Sequence, residues 1–279
     1  MSNYELAPQW DNLLLNLGIW QGSFTKISPQ GEIQTDTPSK LTLESLDDNR
    51  IVKLVLERFP QDKEKTPAPL VQTYHGLNRS ILFFNNGAFS MGAMQFSPFS
   101  EFGAEFSFIQ GDRRLRFVQL FDKHRTLDNI TLIREFREHS NAAERPPLTV
   151  DRLLGDWVGE AVTIYPDWRS PDISPVSLSL RRQGNTLSQH LTAGNFDFSS
   201  TGEIQGSRLL FNQETSPIQI LLLPDGASCN TPVTIPKGEG FFLEVGWLID
   251  DGLRQRLIRR YDARGGWESL TLVTERKVS

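Results

Sequence analysis

The sequence predicts an all-β protein made of two tandem antiparallel barrels descended from one duplicated unit. Three observations carry that expectation: an internal repeat, a succession of short alternating segments split by hairpin turns, and very little helical periodicity. The repeat is plainest at Leu17-Gly18-Ile19-Trp20-Gln21-Gly22, which returns as Leu154-Gly155-Asp156-Trp157-Val158-Gly159 at an offset of 137. Pro38, Leu41 and Leu43 return as Pro175, Leu178 and Leu180 at the same offset. The segment 81–88 returns as 220–227 at an offset of 139. Arg116, Val118, Phe121 and Asp122 return as Arg256, Ile258, Tyr261 and Asp262, and Thr131-Leu132-Ile133 as Thr271-Leu272-Val273, both at 140. Matches in one order, at an offset that drifts by only three residues, are the mark of duplication.

Between the halves lies the polar stretch 139–148, which carries Pro146-Pro147 and reads as a linker. It divides the chain into 1–143 and 144–279. A domain of about 140 residues is long enough to bury a core of its own. In the first half, alternation and β-forming residues mark strands at 20–27, 39–46, 50–59, 70–75, 79–85, 88–96, 102–109, 116–122 and 130–138. In the second they mark 157–165, 176–182, 186–193, 196–203, 207–211, 218–223, 228–235, 241–249, 254–262 and 268–277. Asn85-Asn86-Gly87, Pro224-Asp225-Gly226, Asp250-Asp251-Gly252 and Arg264-Gly265-Gly266 supply residues that tolerate the positive φ of tight turns. Helix-period patterning occurs only at 4–17 and 149–154, just before each Trp motif, where a short helix would close a barrel end. That is too little helix for the crossovers of a parallel sheet.

Composition removes several function classes. The 279 residues carry 29 basic and 34 acidic side chains, and no basic block marks a nucleic-acid footprint. No apolar run approaches 18 residues, so no membrane span is expected. The first residues lack a basic segment ahead of an apolar one, so no secretory leader is expected either. Cys229 is the only cysteine, which rules out a disulfide within the chain and a CxxC motif. The expectation is a cytoplasmic protein.

The Gly-x-Trp at the head of each half, Gly18-Ile19-Trp20 and Gly155-Asp156-Trp157, resembles the signature of the lipocalin-like, or calycin, barrels. The resemblance implies that the glycine turns the chain into the first strand and that Trp20 and Trp157 plug the closed ends. It further implies a basic residue of the last strand on each Trp: Arg134 or Arg137 in the first half, Arg276 in the second. The run Arg254-Gln255-Arg256, Arg260-Tyr261 and Leu270 to Arg276 resembles the last strands of phycobiliprotein lyases, calycin-fold proteins that deliver an open-chain tetrapyrrole to a cysteine of an acceptor protein. The whole chain is similar to a family of tandem calycin proteins from oxygenic phototrophs with no established activity. By the lyase resemblance, arginines serve the tetrapyrrole propionates, and Glu244 or Glu275 contacts the pyrrole nitrogens.

A barrel of eight to ten strands can enclose one small ligand. The first half holds 13 of the 18 phenylalanines. Phe102, Phe106 and Phe108 share one strand face, and Phe117 and Phe121 another. Phe106 and Phe117 are therefore candidates to line an aromatic cavity, although aromatics also make a filled core. In the second half, strand alternation puts Arg259 and Tyr261 on one face and Arg254, Arg256 and Arg260 on the other. One set should point inward. Arg259 and Tyr261 resemble the Arg-x-Tyr pair of intracellular fatty-acid carriers and are expected to clamp a carboxylate; Arg254 and Arg256 take that role if the faces are reversed. His75, His124, His139 and His190 show no metal-ligand spacing, and the acidic pairs Asp47-Asp48 and Asp250-Asp251 read as turn residues. The leading functional expectation is non-enzymatic binding of a small hydrophobic anionic ligand: a tetrapyrrole, carotenoid or fatty acid. The alternatives are a lyase-like chaperone that attaches a bilin to an acceptor cysteine, and a protein-interaction module with filled barrels.

Overall fold

In the computed structural model, which describes residues 4–62, 64, 66–212 and 216–278, the chain is nearly all strand. The first half runs α1 (Gln9–Leu14), β1 (Gly18–Ile27), β2 (Ile33–Leu46), β3 (Ile51–Arg58), β4 (Leu70–Tyr74), β5 (Ile81–Phe83), β6 (Phe89–Gly92), β7 (Phe102–Gln110), β8 (Arg113–Phe121) and β9 (Leu127–Arg137). The second runs α2 (Val150–Leu153), β10 (Gly155–Ile164), β11 (Asp172–Gln183), β12 (Thr186–Ala193), β13 (Phe196–Gln205), β14 (Arg208–Phe211), β15 (Ile218–Leu222), β16 (Ala227–Pro232), β17 (Phe241–Asp250), β18 (Leu253–Tyr261) and β19 (Trp267–Val278). Each sequence-predicted strand overlaps one of these. Helix α1 is shorter than the pattern suggests, because Pro8 sits at its N-cap and the chain turns into β1 at Gly18.

The halves share a strand order and differ in closure. Strands β10 to β19 pair in sequence and β19 returns to β10, giving a closed ten-stranded barrel. The first half forms a nine-stranded sheet in the order β4-β3-β2-β1-β9-β8-β7-β6-β5, and its ends β4 and β5 are not paired with each other. In the barrel, β14 bridges β13 and β15. Among the described residues the first half has no strand in the matching place, so its sheet stays open along a seam.

The repeated Leu-Gly-x-Trp-x-Gly has a physical reading at each position. Gly18 and Gly155 adopt φ of 130° and 121°, outside the range of L side chains. Trp20 and Trp157 are fully buried, and their indole N–H groups donate to the carbonyls of Asn16 (3.0 Å) and Leu153 (2.8 Å). Gly22 and Gly159 sit opposite Glu135 and Glu275 on the closing strands, where a Cβ would collide with the backbone of Arg134 or Thr274. The second glycine thus lets first and last strand approach at the position of a buried glutamate.

Each half keeps a core about its Trp plug, with Leu13, Trp20, Leu41 and Val52 in the first and Leu153, Trp157, Leu178 and Leu209 in the second, and a larger core is shared between them. The largest apolar cluster combines Phe106, Phe117 and Phe121 of the first half with Leu243, Val245, Trp247 and Tyr261 of the second. Backbone bonds stitch the rims: Phe96 N–H to Gly265 O (2.7 Å), Trp267 N–H to Met94 O (2.8 Å), and Leu127 N–H to Val233 O (3.0 Å). Buried Arg113 pairs with buried Asp225, and the linker's Arg145 donates its backbone N–H to the same carboxylate at 2.7 Å. The guanidinium of Arg145 stacks 4.2 Å from the Trp247 ring centroid. The linker is therefore anchored rather than loose, and a shared core joins the halves beside the core that each keeps.

Candidate functional site

Strand alternation sorts the second half's arginines onto two faces, and the faces are the reverse of the leading expectation. Arg254 and Arg256 point into the barrel; Arg259 and Tyr261 point out, against the first half. Arg259 is fully buried there, donating to Tyr261 Oη (2.6 Å), Ser90 Oγ (3.3 Å) and the Ala93 carbonyl (3.1 Å), with its guanidinium 3.4 Å from the Trp267 ring centroid. Tyr261 also donates to the Ala93 carbonyl at 2.9 Å. The pair is an interface plug and clamps nothing inside a cavity. Phe106 and Phe117 are corrected for the same reason: they lie on the outward face of β7 and β8, in the shared core.

The interior of the second barrel holds a cavity of about 260 Å³. Leu178, Leu187, Leu191, Leu209, Ile220 and Ile258 form the aliphatic part of its wall, and Leu153 of α2 reaches it from the plugged end. A second space of about 290 Å³ adjoins it and shares Gln189, Phe198, Ile220, Asn230 and Phe242. Phe196 is half exposed and stacks on Phe198, with ring centroids 5.9 Å apart. The polar side chains of the wall include Asn230, Glu244, Arg254 and Arg256.

Those charged groups belong to a clamp that occurs twice. In the second barrel Arg256 reaches Glu244 (3.3 Å) and Glu275 (3.2 Å), and Arg254 reaches Glu275 (3.3 Å). In the first half Arg116 reaches Glu105 (2.8 Å) and Glu135 (2.9 Å), and Arg114 reaches Glu135 (2.8 Å). All eight residues lie at corresponding positions of the duplication, at offsets of 139 or 140. Burial pushes the Glu135 carboxyl up, but Arg114 and Arg116 outweigh it and hold the group at about 2. Burial pulls Arg254 below the usual arginine range against the pull of Glu275. Arg114, Glu105 and Glu135 escaped the sequence reading; extending the match of Arg116 with Arg256 two residues back would have found Arg114 with Arg254.

The Trp plugs carry basic partners, but not all the expected ones. Trp20 lies between Arg137 and Arg114, whose guanidinium carbons are 4.4 and 4.5 Å from its ring centroid. Arg134 faces outward and binds Glu144, Thr25 and Asp36. Over Trp157 sits Lys277, at 5.3 Å, and not Arg276, which is exposed. Register explains the shift: Trp20 pairs with Arg137 and Trp157 with Lys277. Cys229 is buried against Gln119 Nε2 (3.2 Å), and burial raises its thiol far above the ordinary range, which keeps it in the protonated form.

Fold and interior together define a duplicated β-barrel protein with one closed, cavity-bearing half and one open half. The chain belongs to the DUF3598 family: residues 7–140 match the profile of the N-terminal domain of unknown function DUF3598. A DUF3598 protein of unknown function from Nostoc punctiforme, known by its crystal structure, is 45% identical, with 98% of this chain and 100% of that one covered and a TM-score of 0.93. Residues 144–278 match the profile described as Biogenesis factor required for ATP synthase 1, C-terminal domain. A putative outer membrane protein from Bacteroides fragilis overlaps 97% of this chain and 100% of its own at 11% identity, with a TM-score of 0.25, too low to carry any argument. No curated protein matches the chain. Among the described residues, no helix is long and apolar enough to cross a membrane.

Proposed function

We propose that the protein carries a small hydrophobic ligand inside its second barrel, without catalysis. The observation behind this reading is the cavity beneath Phe196 and Phe242, with its largely aliphatic wall. Together with the adjoining space it falls within the roughly 300–1,000 Å³ of small-molecule sites. The hydrophobic body of a tetrapyrrole, carotenoid or fatty acid suits such a wall. The calycin kinship, the distant likeness to phycobiliprotein lyases, an origin in phototrophs and a cytoplasmic location belong to the same proposal; the cyanobacterial relative is consistent with it. Native mass spectrometry of the protein from its own cells tests it. The expected result is a bound small molecule that is lost in Ile220→Trp, where the indole fills the cavity. Absence of any bound molecule, with no uptake of hydrophobic dyes, overturns the reading.

A second reading has its own support. The match of residues 144–278 to a biogenesis-factor domain, together with the free edge of β4, favours a protein partner taken up along the seam. Leu70 and Val71 on that edge are 45% and 55% exposed, unusual for apolar strand residues. A photoactivatable residue at Val71 then traps a protein in the source cells while the barrel carries no small molecule. A bilin-delivering lyase requires such an acceptor protein and a filled cavity together.

A further inference from the structure

The polar end of the second barrel's cavity is charge-balanced. Arg254 and Arg256 face Glu244 and Glu275, two cations against two carboxylates, all at least nine-tenths buried. A ligand carboxylate placed there would lie next to Glu244 with no unpaired cation to receive it, and burying an unpaired charge is costly. Arg259, a buried cation with no carboxylate partner among the described residues, is outside the barrel. The same end nevertheless has unspent hydrogen-bonding capacity. Arg256 Nε is a donor without a hydrogen-bond partner, Arg254 Nη1 has only its 3.3 Å ion pair with Glu275 Oε1, and Asn230 Oδ1 and Glu275 Oε1 are acceptors without a hydrogen-bond partner. In the first half the equivalent clamp is tighter, at 2.8–2.9 Å rather than 3.2–3.3 Å, and Arg116 Nε, the counterpart of Arg256 Nε, donates to Glu135 at 3.0 Å.

Resting on the carrier reading, we propose that the cavity selects ligands with a neutral head group that both accepts and donates a hydrogen bond, as an amide or a lactam does. Arg256 donates from Nε to its carbonyl, Asn230 accepts from its N–H, and the aliphatic wall takes the tail. This replaces the anionic head expected from the sequence. Residues Glu244 and Glu275 keep both guanidiniums paired, so the site repels carboxylates while remaining a donor.

Calorimetric titration of the full chain at pH 7 with decanamide, decanoate and decyl acetate tests this. The expected result is decanamide tightest, by about tenfold over the other two, a difference of about 1.4 kcal/mol. Decanoate should gain affinity as pH falls toward the acid's own pKa, because the neutral acid can donate and accept. In Asn230→Ala, which leaves the ion pairs intact, decanamide should fall to the level of decyl acetate. Decanoate binding as tightly as decanamide at pH 7, or an amide preference that survives Asn230→Ala, overturns the head-group assignment and leaves the carrier standing. Failure of all three ligands to bind overturns the carrier reading itself.

Discussion

The two halves begin with the same motif and end on the same clamp, yet one closes and the other stays open. Both bury a Trp plug, pass a glycine over a buried glutamate and pair that glutamate with two arginines. The differences lie elsewhere. Among its described residues the first half lacks a counterpart of β14; it fills its closed end with Phe83 and Phe89 at 4.8 Å between ring centroids, and holds its clamp at short distances. The second half closes, keeps a cavity and holds its clamp loosely. Devices that join the first strand to the last are common to both copies, while seam and interior have diverged. Duplication of this kind separates what the fold needs from what a function can use.

The largest expected effects fall on the plugs. Trp→Ala at a buried site costs about 3–5 kcal/mol. Trp20→Ala should exceed Trp157→Ala by about 1 kcal/mol, because two guanidiniums stack on Trp20 and one more distant ammonium on Trp157. Equal losses in urea unfolding would break the parallel between tight and loose halves. The clamps come next. Glu135→Gln leaves buried Arg114 without its carboxylate and Arg116 with Glu105 alone, a loss of about 3–5 kcal/mol, and the longer contacts of Glu275 predict a smaller loss for Glu275→Gln. A larger loss at Glu275 would reverse the ranking.

Acid sharpens the same comparison. Glu135 is held at about 2 in the folded chain against an ordinary 4.5, so its contribution is complete above pH 4.5 and is lost as pH falls through 2. That shift corresponds to roughly 3 kcal/mol, and Glu135→Gln should flatten the fall in melting temperature across this window. An unchanged acid profile would mean that Glu135 is not held ionised by its arginines. Arg259→Gln comes after these. Its hydrogen bonds to Ser90 and Ala93 tie the halves, and losing charge-assisted bonds costs about 1.5–3 kcal/mol. Arg260→Gln, whose exposed side chain pairs with Glu268 at 3.2 Å, should stay within about 0.5 kcal/mol. Ligand affinity that falls in Arg259→Gln with stability unchanged would return Arg259 to a cavity.

Strand content and duplication were legible because alternation, glycine turns and repeated motifs are local signals. The direction of each face was not. On β18 both faces are buried, one by the barrel interior and one by the other half, so alternation alone left Arg259 and Arg256 as equal candidates. The Phe-rich strands of the first half misled for the same reason: a sheet whose outer face packs on a second sheet carries aromatics outside as well as in. Closure was hidden too. It depends on β14, whose strand was legible at 207–211 and has no counterpart among the described residues between β4 and β5, but alternation does not say that a sheet one strand shorter stays open. Asp225 read as a turn residue, which it is, at φ 60°; its pairing with Arg113 across the halves depends on long-range packing that no spacing reveals.

The contrast between an open and a closed half is tested most directly by residue-resolved amide hydrogen exchange on the intact chain. Strand β14 is bonded on both sides, to β13 and β15, and its amides and those facing it should exchange only on global unfolding. Strand β4 is bonded to β3 alone, so its outward amides between Leu70 and Tyr74 should exchange orders of magnitude faster. Equal, strong protection of β4 and β14 would contradict the account, because it would require a partner along the seam that closes the first half as β14 closes the second.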